Sequence, residues 1–451
     1  MNLRVRRQIL SKIVEDSITI RKKNQVQTTL LGEKAEEDWS FSRARTSYLT
    51  HGLHEYPARM IPQIARRLIL RYSSEKERIL DPFCGSGTTL IEARFARRYS
   101  AGIDINPFAV LLSKVKTTPI DFRKMGFDPF RFIGNLETEY EEAKKDGKLP
   151  TPPVHIFHNL LHWFKEPVAR DLEFLYHKIQ EVDEPNVADL LKIVFSDTMF
   201  KTSNIDLRSS RFLRILPKKK LTSHNPNVLM HFRKKLIDSI RRVEQFTKRV
   251  KGESEWAAQQ PVVIVAKEDA RKLPFNNGEF EAIVTSPPYG EEKNTVGYFR
   301  WAKLSLLWLR LDGEVIKKLE KQTLGALTSS NVREQLEALP SPTAASLLRE
   351  VLRQDEERVR DALPFFFDYL LTLKEMYRTL KPGSFCCIVV GDRSIRKRPL
   401  NMERVTIELG QEAGFVHKTS FFRQIPQKLI PWTTPTGKTI SSESMVILTK
   451  K

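Results

Sequence analysis

Apolar residues at positions 61, 64, 65, 68 and 69 recur at helical spacing, with Arg66, Arg67 and Arg71 mostly off that stripe, which predicts an amphipathic helix. Arg78-Ile79-Leu80 is too short for a helix and reads as a buried strand. Glycine punctuation follows it, then a helix over residues 90–99 rich in Ala and Arg, then a second strand near Ala101-Gly102-Ile103 that ends at Asp104 and is stopped by Pro107. Strand, glycine turn, helix, strand and acid form the opening half of a doubly wound parallel sheet.

The strand rhythm lapses between Pro119 and Gly252. Helical patterns over 168–182 and 231–251 replace it, separated by loop-like stretches at 150–153 and 196–210. Strand character returns at 262–265, 282–284, 385–390, 420–423 and 445–448, and a helix over 365–380, stopped by Lys381-Pro382-Gly383, precedes the third of these. The fold class expected is α/β, a Rossmann-like and mostly parallel sheet with its last strands antiparallel and with helical insertions. The expected organisation is an N-terminal extension (1–50), the cofactor half of the sheet domain (51–118), a helical insertion (119–252), the catalytic part (253–310), a charged helical insertion or lid (311–362) and the end of the sheet (363–451).

Charge sharpens this picture. The chain of 451 residues has 75 Lys and Arg against 55 acids, a formal charge of +20. Such an excess favours a polyanion, because neutralising phosphates releases counterions. It is concentrated: residues 201–251 carry fifteen basic residues against three acids. Lys218, Lys219, Lys220, Arg233, Lys234 and Lys235 are the candidate nucleic-acid contacts. Three cysteines without metal-type spacing and nine scattered histidines give no metal site and suit a reducing compartment. No run reaches the roughly 18 apolar residues of a membrane span and no apolar leader opens the chain, so a cytoplasmic, nucleoid-associated protein is expected.

Two motifs carry the chemistry. Asp81-Pro82-Phe83-Cys84-Gly85-Ser86-Gly87-Thr88-Thr89 has the form of a cofactor loop, in which glycines let the backbone approach a ligand and the next helix offers unpaired N–H groups. Asp104, nineteen residues past Gly85, can accept from ribose hydroxyls, and Asp269 follows the third strand, where it could meet an adenine amine. The third glycine of a dinucleotide fingerprint is missing, which disfavours NAD, and the absence of Gly-Lys-Ser/Thr disfavours ATP. The second motif is Thr285-Ser286-Pro287-Pro288-Tyr289-Gly290. An exocyclic amine is a weak nucleophile because its lone pair is delocalised into the ring, so catalysis must hydrogen-bond its N–H groups and hold the nitrogen in line with the methyl donor. Ser286 offers an oxygen, the rigid Pro287-Pro288 pair offers an uncompeted carbonyl at Pro287, and Tyr289 can stack on a base extruded from a duplex. Together these residues point to methylation of a nucleobase amine by S-adenosylmethionine.

At these positions the chain resembles the amino-group DNA methyltransferases of restriction-modification systems, in particular the cytosine-N4 type. Residues 51–59, including Tyr56 and Pro57, resemble the motif that precedes the family's cofactor loop. Asp81, Phe83, Gly85, Gly87 and Thr88 resemble the loop, Asp104 the ribose acid, Asp269 the adenine-side acid, and Ser286 to Tyr289 the catalytic Ser-Pro-Pro-Tyr. The resemblance implies S-adenosylmethionine as cofactor, double-stranded DNA as substrate, and a cognate restriction endonuclease as a further partner where the system includes one. Adenine-N6 members usually carry an acid in place of Ser286, so the serine leans toward cytosine. The largest insertion precedes Asp269, whereas the family's commonest arrangement in this order places target recognition after that motif. Adenine-N6 transfer, guanine-N2 transfer on RNA, and a nucleic-acid-binding subunit with a relic fold remain the alternatives. Cytosine-C5 transfer is set aside, since no cysteine follows a proline.

Overall fold

The computed structural model describes residues 38–207, 214–253, 263–266, 268–425, 433–434, 437–438 and 440–451. Residues 1–37 of the expected N-terminal extension, Arg208 and Arg211 of the basic stretch, and Val262 lie outside the described residues. The strands are β1 (Arg78–Asp81), β2 (Tyr99–Asp104), β3 (Val263–Ala266), β4 (Phe280–Thr285), β5 (Leu380–Gly391), β6 (Arg393–Ile395), β7 (Arg398–Leu400), β8 (Val416–Gln424), β9 (Thr433–Thr434), β10 (Gly437–Lys438) and β11 (Ser442–Thr449). Seven of them form one sheet in the order β3-β2-β1-β4-β5-β11-β8. Pairings from β3 through β5 are parallel, and β11 runs antiparallel between β5 and β8, as the sequence pattern predicts.

Alternation along the strands divides the interior. Ile79, Ala282, Val284, Cys387, Val389, Met445 and Ile447 face a core closed by the helix Pro62–Tyr72. Leu80, Ile283, Cys386, Ile388, Val390, Val446 and Leu448 face another closed by the helices Pro342–Leu352, Glu356–Thr379 and Met402–Glu412. Each Ile, Leu, Val or Met among them taken out of water stabilises the fold by roughly 1.5–3 kcal/mol before entropy is counted.

Three local expectations are corrected. The helix after the glycine turn is Thr88–Phe95 rather than 90–99: Arg97 adopts a left-handed φ of 61°, the Arg98 N–H bonds the Ala93 carbonyl, and Tyr99 opens β2. Residues 196–202 finish the helix Pro185–Thr202 rather than forming a loop. Thr198 and Thr202 donate back to the carbonyls of Val194 and Thr198, and Ser196 pairs with Ser305, so polar side chains that look like loop signals are satisfied inside the helix. The helix expected over 365–380 starts at Glu356, where Asp355 caps the Arg358 N–H, and runs through Pro364; its stop signal, Lys381-Pro382-Gly383, lies in β5.

The segment 119–252 folds as helices, among them Pro129–Lys145, Glu166–Gln180, Pro185–Thr202, Lys218–Ser223 and Val228–Glu253. All of these but Lys218–Ser223, which buries no residue, share a core with the helices Pro107–Thr117 and Tyr298–Trp308, around Phe108, Phe195, Phe232, Phe299 and Trp308. Within 312–362, Val332, Leu336, Ala344, Leu348 and Val359 join the core on the sheet face that holds Leu80.

Candidate active site

Because β1 and β4 are parallel neighbours, with Leu80 opposite Ile283, the loops leaving their carboxyl ends emerge at the same edge. Asp81 ends β1 and Thr285 ends β4, and the Thr285 hydroxyl donates to Asp81 Oδ1 over 2.6 Å. The two sequence motifs, about two hundred residues apart, are thus bonded to each other. Above this junction lies a cleft of about 980 Å³, counting its open mouth, lined by Tyr56, Pro57, Asp81, Phe83, Gly85, Thr88, Asp104, Asp269, Ser286 and Pro288 together with neighbouring residues.

Backbone geometry explains the glycines. Gly85 and Gly87 adopt left-handed φ values of 49° and 80°, and a Cβ on Gly87 would sit 3.0 Å from Ser113 Oγ. Asp104 Oδ2 accepts the Gly85 N–H at 3.0 Å and Oδ1 accepts that of Asn106 at 2.8 Å, so the acid orders the loop it follows in space. Asp81 Oδ1 also accepts the Phe83 N–H at 3.1 Å. Burial pushes both acids up to about 6, opposed by these hydrogen bonds. Among the described residues neither carboxylate forms an ion pair with a basic side chain. A buried and a half-buried acid without a basic partner among the described residues, over a turn whose left-handed φ values favour glycine, fit a ligand that brings its own positive charge and hydroxyl donors.

Tyr56 and Tyr298 stack at 6.0 Å with their planes 27° apart, at one wall of the cleft. Asp269 lines the cleft but is held by Arg271, whose Nη2 lies 2.6 Å from Oδ2 and whose Nη1 reaches Asp368 at 2.9 Å. Three predicted residues stand behind the lining. Gly87 is in the turn, Pro287 is buried, and the Tyr289 ring packs on Gly391, where a Cβ would come within 2.8 Å of Tyr289 Cε2. The Tyr289 hydroxyl lies 3.3 Å from Ser286 Oγ and 3.3 Å from Glu443 Oε1.

Sequence reasoning missed several participants. Glu292 lines the cleft, and burial raises its carboxyl to about 7 while it accepts the Phe299 N–H at 2.6 Å. Gln322, Thr323 and Leu324 contribute another wall from within the charged segment. At the end of the Ser286–Glu291 loop, buried Glu291 pairs with Arg393 at 2.8 Å and Arg358 at 2.6 Å, and Arg393 Nη1 donates to the Tyr289 carbonyl at 3.4 Å.

The cysteines give no nucleophile: Cys84, Cys386 and Cys387 are buried, and burial drives the Cys84 thiol well above its usual range. The six basic candidates lie outside the cleft lining. Lys218, Lys219, Lys220 and Lys234 are exposed, Arg233 pairs with Glu137 at 3.6 Å, and Lys235 is largely covered and pairs with Asp197 at 3.1 Å. No helix among the described residues is long and apolar enough to cross a membrane.

A family model for N6 and N4 DNA methylases matches residues 8–115. The type II methyltransferase M.MvaI of Kocuria varians is 33% identical over 428 residues, 90% of this chain and 92% of the relative. M.BsoBI of Geobacillus stearothermophilus is 24% identical, over 84% of this chain and 82% of the relative. A solved S-adenosylmethionine-dependent methyltransferase from Methanosarcina mazei superposes with a TM-score of 0.30 at 11% identity, covering 88% of this chain and 98% of that one. The chain belongs to the amino-group DNA methyltransferases of restriction-modification systems, which take their methyl group from S-adenosylmethionine.

Proposed function

We propose that this enzyme methylates the exocyclic N4 of cytosine within a specific duplex sequence. The observation that carries the reading is the serine at the cleft rim: Ser286 leaves β4 beside the Asp81 junction and presents an uncharged oxygen to the cofactor space. Asp81, Asp104 and the glycine turn would hold S-adenosylmethionine, with Asp269 and Glu268 at the adenine side. When bound, it supplies an electrophilic methyl on a sulfonium.

The chain does the rest. Ser286 Oγ and the Pro287 carbonyl accept the two amine hydrogens, localising the nitrogen lone pair and fixing its direction of attack. Held in that direction, the amine nitrogen would take the methyl that the bound cofactor supplies, the cofactor leaving as a neutral thioether, and would then release a proton to solvent. A base inside a duplex cannot reach this rim, so the cytosine is extruded and stacks on the ring face of Tyr289 turned away from Gly391. Exposed Lys218, Lys219, Lys220 and Lys234 contact the phosphate backbone, which makes the helical segment 119–252 the first place to look for target recognition. A cognate restriction endonuclease would be the biological counterpart.

The test is base-resolved sequencing of DNA from cells that express the protein. N4-methylcytosine at one short motif is expected. N6-methyladenine at such a motif would overturn the base assignment and leave the family intact.

A further inference from the structure

Three directly opposed positions on adjacent strands form a row across the sheet: Gly391 on β5 faces Glu443 on β11, which faces Arg423 on β8. Side chains in such a row share one face. Arg423 grips a single oxygen of Glu443, with Nε at 2.7 Å and Nη2 at 2.6 Å from Oε2. Oε1 is left facing the Tyr289 hydroxyl at 3.3 Å. Gly391 has no side chain, and the Tyr289 ring fills that space. The row is therefore built around the catalytic loop, although its acid lies 154 positions beyond Tyr289.

We infer that Glu443 is a positioning residue that acts through Tyr289 to turn the lone pairs of Ser286 toward the substrate amine. The argument is one of donor accounting. A carboxylate paired with arginine only accepts, so the single Tyr289 hydroxyl proton is committed to Glu443. Tyr289 oxygen is then an acceptor, and the Ser286 proton is committed to it across 3.3 Å. With its proton directed inward, Ser286 meets the cleft as an acceptor, which is what an amine N–H requires. Reversing the chain would aim a lone pair of Tyr289 at a carboxylate oxygen. Burial and the neighbouring Glu443 keep the Tyr289 phenol protonated by raising it well above its usual range.

This inference rests on Ser286 as the amine acceptor, and the experiment separates the two. Purified Ser286→Ala, Glu443→Gln, Tyr289→Phe and the Glu443→Gln/Tyr289→Phe double variant are compared for kcat, KM for duplex DNA, and S-adenosylmethionine binding. Glutamine can still hydrogen-bond Tyr289 and tether the loop, but it no longer dictates the direction of the chain. Glu443→Gln and Tyr289→Phe should each lower kcat about tenfold to hundredfold, the scale of one charge-assisted hydrogen bond, with KM and cofactor binding little changed. The double variant should be no slower than Tyr289→Phe alone, since both changes sever one chain. Wild-type kcat in either single variant, or fully multiplicative losses in the double, overturns the inference. Tyr289→Phe leaves the Glu443–Arg423 pair intact and so decides the matter if Glu443→Gln fails to fold. A Ser286→Ala enzyme that keeps its turnover would instead sink the reading of the pocket itself.

Discussion

The cofactor loop and the amine loop sit at the same sheet edge, yet they are held in opposite ways. The Asp81–Asn106 region is fixed mostly by itself: Asp81 bonds the N–H two residues on, Asp104 bonds that of Asn106 and folds back on Gly85, and Ser113 Oγ donates to the Gly85 carbonyl at 2.7 Å. The loop from Ser286 to Glu291 is fixed by distant residues, with Arg358, Arg393, Gly391 and Glu443 all brought from the last hundred positions. The loop proposed to hold the cofactor is thus supported mostly from nearby positions, whereas the loop proposed to aim a hydroxyl at an amine draws on distant strands and helices.

The comparison can be broken hardest at the distant supports. Arg393→Ala removes one of two arginines from Glu291, which is 1% exposed, and should lower stability by about 3–5 kcal/mol in chemical denaturation. Turnover should fall with it, and a variant as stable as the parent would show that the loop does not depend on this pair. At the local support, Asp104→Asn removes the charge and one of the two oxygens that accept the Gly85 and Asn106 N–H groups; S-adenosylmethionine binding measured by calorimetry should weaken about tenfold or more, the scale of a charge-assisted hydrogen bond, and the melting temperature should fall modestly.

Acidity sharpens the same contrast. Asp81 and Asp104 titrate near 6 in the fold, above the ordinary carboxylate value of 3.8, so the folded protein keeps protons that the unfolded chain has already lost. Their contribution to stability is therefore full below about 4 and declines as the pH rises toward 6. Cofactor affinity should move the other way, strengthening through that window as the acids ionise. Titration of both quantities from pH 4 to 8 checks the sign, and Asp104→Asn should flatten part of each curve. The smallest effect is expected far from both loops, where reversing Lys218, Lys219 and Lys220 to glutamate should leave the melting point alone and flatten the salt dependence of DNA binding.

Legibility in the sequence followed the same division. The parallel sheet, the antiparallel pair at its end and the glycine turn after β1 could be read from the chain, because strand alternation, glycine turns and near-neighbour acids are short-range signals. The row formed by Gly391, Glu443 and Arg423 could not, since register between strands is decided by packing and leaves no mark at any single position. Tyr298 and Glu292 were hidden for a related reason: Tyr298 opens a helix that shares a core with the inserted helices, and Glu292, in a short 3-10 turn before it, is held to that helix by the Phe299 N–H. Residues 196–202 misled because their hydroxyls bond inside a buried helix rather than to water.

The central claim is that the Ser286 pocket takes a cytosine amine, and product chemistry tests it most directly. Purified enzyme, duplex DNA that contains its target and S-adenosylmethionine labelled in the methyl group are incubated together, and the DNA is digested to nucleosides. The label should elute with N4-methylcytosine and vanish from the Ser286→Ala reaction. Label in N6-methyladenine, or in a product of the Ser286→Ala enzyme at the parent rate, would contradict the account.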